Sequence, residues 1–139
     1  MTKAIIAIDF DDTIAHSKYP EILGLKEDAK HYINKLFDEG YYLIVNTCRS
    51  GEEQERVVKF LSENGIKYHQ INENHPRLIK IFKEDSRKIS CDFYLDDKNI
   101  EMALKRIHCE NNECPWKDYY RSITTVTSHK NFSSILNHK

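Results

Sequence analysis

No stretch of this chain stays apolar for anything like the roughly 20 residues that a membrane-spanning helix needs, so no membrane partner is expected. There is no surplus of charge either. Lys and Arg total 21 against 22 for Asp and Glu, and a balance of that kind gives no bulk attraction to nucleic acid or to an anionic surface. The start of the chain lacks the layout of a signal peptide, because Lys3 is followed by a short apolar run and then by acids. Cys48, Cys91, Cys109 and Cys114 contain no CxxC pair and no regular frame, which fits reduced thiols in a cytoplasmic protein. Cys109 and Cys114 beside His108 have the outline of a zinc half-site. Without a second pair, incidental cysteines are preferred. Repeats, low-complexity runs and linkers are also missing. The 139 residues, 40% of them hydrophobic, are therefore read as one domain, 1–139, with one core.

What is present is an alternation of strand and helix patterns. "IIAIDFDDTIAH", residues 5 to 16, runs an apolar stretch into three acids. Lys3 to Asp9 is a strand apolar on both faces, as in the middle of a parallel sheet. Ala29, Tyr32, Ile33, Leu36 and Phe37 recur at helical spacing between Lys26 and Glu39, and Gly40 is placed to end that helix in the left-handed conformation. "YYLIVNT", 41–47, reads as the next strand. "SGEE", 50–53, reads as a capping box for a helix with Val57, Val58, Phe60 and Leu61 on its apolar face, stopped at Gly65. A short strand near 66–71, a helical turn at 76–84, a strand in "CDFYLDD" at 91–97 and a helix over 100–108 follow. In the tail, "YYRSITTV" at 119–126 has the β-branched content of a last strand, and Phe132, Ile135 and Leu136 suggest a short closing helix. Trp116, Tyr119 and Tyr120 are read as covering a core edge in preference to an oligomer contact. This alternation predicts right-handed crossovers and a three-layer α/β/α sandwich with a central, mainly parallel sheet.

Ligands of such sheets collect beyond the carboxyl ends of the strands. The first strand delivers Asp9, Asp11 and Thr13, and the second Thr47, then Cys48 and Arg49. The last delivers Asp96 and Asp97, with Lys88 a few residues before it begins. Carboxylates crowded together do not all stay ionised without a positive partner. Hard oxygen ligands around an open position suit Mg2+. An EF-hand starting at Asp9 fails, because Ile14 and Pro20 stand where Gly and Glu are required. The histidines form no metal spacing.

The ordered set Asp-x-Asp-x-Thr, Thr, Lys, Asp-Asp, carried by "DFDDT" after an apolar strand and by "FYLDD", resembles the haloacid dehalogenase (HAD) superfamily of phosphohydrolases over residues 3 to about 100. Many members carry Gly where this chain has Asp12, to which no chemical role is assigned. The resemblance implies a Mg2+-dependent phosphomonoester hydrolase working through an aspartyl-phosphate. Asp9 would be the nucleophile and Asp11 the general acid and then base. Thr47 would hold a phosphoryl oxygen beside the N-terminus of the following helix, and Lys88, with Lys80 as runner-up, would neutralise charge. Asp9, the Asp11 carbonyl and Asp96 would face the metal, with Asp97 a direct, water-mediated or lysine-orienting partner. Arg49 is either a substrate contact or a surface residue paired with Glu52 or Glu53. "HSKYPEILG", 16–24, falls where the family has a flap, with His16 and Lys18 near the substrate or merely solvated.

A receiver domain, which also takes a phosphoryl group on Asp, would need its acceptor after the third strand, where "HQINEN" has none. A HAD-like domain that binds phosphate, or accepts it in a regulatory role with little turnover, is the alternative reading. Neither gap between motifs has room for a cap domain, so a capless form with an open site is expected. Open sites of this kind serve large phosphorylated substrates or are closed by a neighbouring subunit, so a homo-oligomer stays in view. Neutral overall charge disfavours nucleic acid.

Overall fold

The computed structural model describes residues 2–108 and 115–137. The zinc outline at Cys109 and Cys114 lies outside the described residues. The first strand, β1 (Ile5–Asp9), is flanked in a four-stranded sheet by β4 (Tyr42–Asn46) on one side and β6 (Phe93–Leu95) on the other. β5 (Gln70–Ile71) lies beyond β4, and every pairing is parallel. β2 (Ala15–Lys18) and β3 (Glu21–Leu25) form a separate antiparallel hairpin from the stretch expected to be a flap.

Both faces of β1 are buried, as its unbroken apolar run requires. Ile6 and Ile8 pack with Leu43 and Val45 against α1 (Ala29–Asp38), α2 (Glu52–Glu63) and α5 (Trp116–Ser128). Ile5, Ala7 and Ile44 face the opposite way, toward Leu78 of α3 (Pro76–Phe82), Ile89 and Leu136 of the closing 3-10 turn (Ile135–Asn137). The chain winds outward from β1 to β4 to β5, then returns across β1 to form β6. With right-handed crossovers, that reversal moves α3 to the other face. The result is an α/β/α sandwich with a switch point between β1 and β6, where the crevice of such sheets opens. α4 (Ile100–His108) follows β6.

Three local expectations need correction. "YYRSITTV" is helical, inside α5. Its β-branched content is overridden by Trp116, Tyr119, Tyr120 and Ile123, which recur at helical spacing. Trp116 and Ile123 are buried in the core, with both tyrosines packed against it. "SGEE" is not a capping box: Gly51 is the N-cap at φ 54°, and no side chain caps the helix. The Glu53 carboxylate is held by Arg49 instead. The strand expected over 66–71 pairs only at Gln70 and Ile71. Gly40 and Gly65, at φ 96° and 66°, do end their helices in the left-handed region.

Candidate functional site

The turn after β1 folds back tightly, with the Phe10 carbonyl accepting from the N–H groups of Thr13, Ile14 and Ala15. Asp12 takes the left-handed conformation at φ 61° that this reversal needs, and its carboxylate accepts from the Ser17 N–H at 3.2 Å. Asp12 thus has a structural use in this turn. Thr13 is buried, and its hydroxyl ties the two halves of the site together. It donates to Asp9 Oδ2 at 3.2 Å and accepts from the Asp97 N–H at 3.1 Å. Beneath it the indole N–H of the fully buried Trp116 donates to the Thr13 carbonyl at 2.8 Å.

Asp9, Asp96 and Asp97 each bring one carboxylate oxygen into a group spanning no more than 4.8 Å. Burial first, then the hydrogen bond to Asp97 and the charges of Asp96 and Asp97, push Asp9 up to about 8. Burial also acts against ionised Asp97, but the hydrogen bond from Asp9 and the Lys98 ammonium outweigh it and hold that carboxyl below its ordinary value. The crowding thus favours a proton on Asp9 beside an ionised Asp97.

Asp11 is occupied differently. Burial works against its charge, but the hydrogen bonds from Arg49 and Ser17 and the charges of Arg49 and Lys98 together outweigh it and set Asp11 below its ordinary value. Arg49 donates from Nε to both Asp11 oxygens at 3.1 and 3.0 Å and from Nη2 to Oδ1 at 2.8 Å. Its Nη1 donates to the Pro20 carbonyl at 2.8 Å and to Glu53 at 3.1 Å, and the guanidinium lies 5.0 Å from the centre of the Tyr19 ring. The pairing with Glu53 was one of the two readings of Arg49, yet the residue is buried and not on the surface.

Thr47 is nearly buried, its hydroxyl oxygen accepting the Arg49 N–H at 3.1 Å. Lys88 is exposed, its ammonium 5.8 Å from the centre of the Tyr94 ring. Tyr94 pairs in register with Ala7, which shares a sheet face with Asp9. Lys88 therefore stands on the face of the nucleophile candidate but forms no ion pair among the described residues. Lys80, on α3, is likewise exposed without one.

Three polar residues escaped the sequence reading. Lys98 lies 3.4 Å from Asp97 Oδ2, and its position directly after the acid pair was the available signal. Asn74 is buried and organises the loop before β6. Its amide donates to Asp85 at 2.7 Å and to the Ser86 carbonyl at 3.0 Å, and its oxygen accepts from the Ser90 N–H at 2.6 Å. Asn72 bonds to the Thr47 backbone on both sides, at 2.8 and 2.9 Å. A wide groove of about 850 Å³ along α1, from Leu25 to Glu39, contains none of these groups. The strand-end carboxylates, not this groove, mark the candidate site.

No protein-family model matches the chain, and no curated protein matches it. Among solved structures, a conserved protein coded by a locus of Bacteroides thetaiotaomicron is similar with a TM-score of 0.70 and 25% identity, over 88% of this chain and 90% of that one. A chain of the Pnkp1/Rnl/Hen1 RNA repair complex reaches a TM-score of 0.48 at 18% identity, over 74% of this chain and 39% of that chain. The first likeness supports the mixed α/β sandwich described above.

Proposed function

We propose that the chain is a Mg2+-dependent phosphomonoester hydrolase of the HAD type, acting through an aspartyl-phosphate on Asp9. The observation that carries this reading is the meeting of Asp9 with Asp96 and Asp97 at the switch point of a parallel sheet, one oxygen of each within 4.8 Å. An all-carboxylate donor set suits a hard divalent cation. The crowding that puts a proton on Asp9 is also what a cation relieves. Asp9, Asp96 and Asp97 would hold Mg2+ with their side chains, and Asp11 with its carbonyl as the resemblance implies. When bound, Mg2+ supplies charge compensation for the phosphoryl oxygens.

In this reading the proton resting on Asp9 first passes to Asp11, an oxygen of the ionised Asp9 attacks phosphorus, the ester P–O bond breaks, and Asp11 gives that proton to the leaving oxygen. Water then attacks the same phosphorus, Asp11 takes its proton, and the bond to Asp9 breaks to release phosphate. Asp11 serves as an acid only after Arg49 lets go of it. A phosphoryl group offers the guanidinium fork an equivalent partner, so substrate itself is the agent of release. Thr47 donates its hydroxyl hydrogen to a phosphoryl oxygen, and Lys88 turns from Tyr94 to the same group. Position and charge compensation supply most of the catalysis in such transfers.

The hold of Arg49 on Asp11 favours one second reading: a domain that accepts a phosphoryl group on Asp9 but hydrolyses it slowly, in a regulatory role. Phosphate release from a panel of phosphomonoesters with and without Mg2+ separates the two. The hydrolase reading expects Mg2+-dependent turnover that vanishes in Asp9→Asn. Fluoroberyllate binding at Asp9 with no turnover of any ester would favour the acceptor instead. Turnover that persists in Asp9→Asn would sink the nucleophile assignment.

A further inference from the structure

The ladder between β4 and β5 pairs Ile44 with Gln70 and Val45 with Ile71, and the Asn72 N–H adds a bond to the Val45 carbonyl at 2.9 Å. There the strand stops, because Asn72 turns into the left-handed region at φ 53°. Asn adopts that conformation at lower cost than most side chains. The turn returns its side chain to the end of β4. Its Oδ1 accepts the Thr47 N–H at 2.8 Å, and its Nδ2 donates to the Thr47 carbonyl at 2.9 Å. A primary amide carries the same donor and acceptor as a peptide group. Asn72 therefore supplies with its side chain the rung that one more residue of β5 would have supplied with its backbone.

On the other side of β4, pairing with β1 ends at Asn46 opposite Asp9. Thr47 projects past the sheet, and Asn72 partners both polar groups of its backbone. The Thr47 hydroxyl oxygen accepts the Arg49 N–H, which fixes the rotamer of the side chain and leaves its hydrogen to donate. A donor aimed in advance stabilises developing charge without reorganisation at the moment of reaction. We infer that Asn72 is a positioning residue that holds Thr47 so that its hydroxyl meets the phosphoryl group. The inference rests on the phosphatase reading above.

The test is a double-substitution cycle on the full chain with p-nitrophenyl phosphate and Mg2+. Asn72→Gly keeps the left-handed backbone and removes the amide; Asn72→Asp keeps an acceptor for the Thr47 N–H but has no donor for its carbonyl. Asn72→Gly is expected to lower kcat/KM about tenfold, Asn72→Asp by less, and Asn72→Gly with Thr47→Ala by no more than Thr47→Ala alone. Losses that multiply in the double variant overturn the inference. Hydrogen exchange at the Thr47 amide reads the same link without any activity. It is expected to be slow in the wild type and Asn72→Asp and fast in Asn72→Gly. Equally fast exchange in all three overturns the inference even if the enzyme turns over. An inactive wild type with a protected Thr47 amide defeats the phosphatase reading instead, and the cycle is then read on the affinity for inorganic phosphate, where additive losses or no binding overturn the inference.

Discussion

Arg49 and Asp11 face each other through a bidentate ion pair in which the cation is buried and the carboxylate is not: their side chains are 1% and 31% exposed. A buried guanidinium needs all its N–H groups occupied. The carbonyl of Pro20 and the carboxylate of Glu53 do the rest of that work. One side chain thus joins the turn after β1, the tip of the hairpin and the first turn of α2.

Replacing Arg49 by Met should therefore loosen the hairpin more than the sheet. Removing one partner of a fully buried pair costs about 3–5 kcal/mol. Asp11 and Glu53 are open enough to rehydrate, so about 1–3 kcal/mol is expected here, read as a lower urea midpoint. Amides of residues 15–25 should exchange faster while those of β1 and β4 hold. Arg49→Lys should recover only part of the loss, because an ammonium cannot reproduce the planar fork. Uniform faster exchange across the sheet would show that Arg49 supports the whole core and not the hairpin.

Asp9 makes the metal-free protein sensitive to alkali. Its folded-state value, about 8, lies above the unfolded value of 3.8. Between these values the folded chain keeps a proton that the unfolded chain has lost, so stability falls as pH rises through that window. Asp97, shifted downward, acts with the opposite sign and only at lower pH, where stability is lost as that carboxylate takes a proton. In EDTA the urea midpoint should be higher near pH 5.5 than near pH 8.5. Asp9→Asn should flatten that slope, and Mg2+ should restore stability most at the alkaline end. His69 and His75, held below their ordinary value first by burial, act with the opposite sign at the acid end of that range, so a slope left unchanged in Asp9→Asn is what would contradict this assignment of the proton.

The fold was legible because β1 is apolar on both faces and because turns and glycines punctuate the chain. Acids at two strand ends announced the candidate site, and the structure brings Asp9, Asp96 and Asp97 together. What stayed hidden depends on groups far apart in sequence. Glu53, four residues on, was legible as a partner of Arg49, but Pro20 and Asp11 lie 29 and 38 residues away, and no spacing rule links them to it. The same holds for Asn72, whose use depends on a strand ending one residue early. The tail was misread because Ile, Thr and Val favour strands in isolation, whereas contact with α1 and the core decides the matter.

The two lysines near the acids should separate clearly. Lys98 pairs with Asp97, but its side chain is 78% exposed, and exposed pairs contribute about 0–1 kcal/mol. Lys98→Ala should change kcat/KM by no more than about fivefold. Lys88 stands on the sheet face of Asp9 with no ion pair to give up among the described residues, on a loop held by Asn74. Losing a charge that meets the transition state costs on the order of a hundredfold or more, so Lys88→Ala should lose about that much, mostly in kcat. The reverse order would hand the role to Lys98, and a large loss in Lys80→Ala alone would hand it to α3.

Trp116 links the tail to the site, and its two contributions can be taken apart. Trp116→Ala opens a cavity beneath the turn and should cost about 3–5 kcal/mol. Trp116→Phe fills most of that space but strips the Thr13 carbonyl of its donor, a loss of about 1–3 kcal/mol for a buried acceptor left unpaired. Because the Thr13 hydroxyl bonds to both Asp9 and the Asp97 amide, a shift of that turn disturbs the spacing of the acids. Trp116→Phe should therefore weaken Mg2+ binding severalfold, at a temperature where the variant is fully folded by near-ultraviolet circular dichroism. If stability drops while Mg2+ affinity stays unchanged, the indole supports the core alone and Thr13 keeps its place without it.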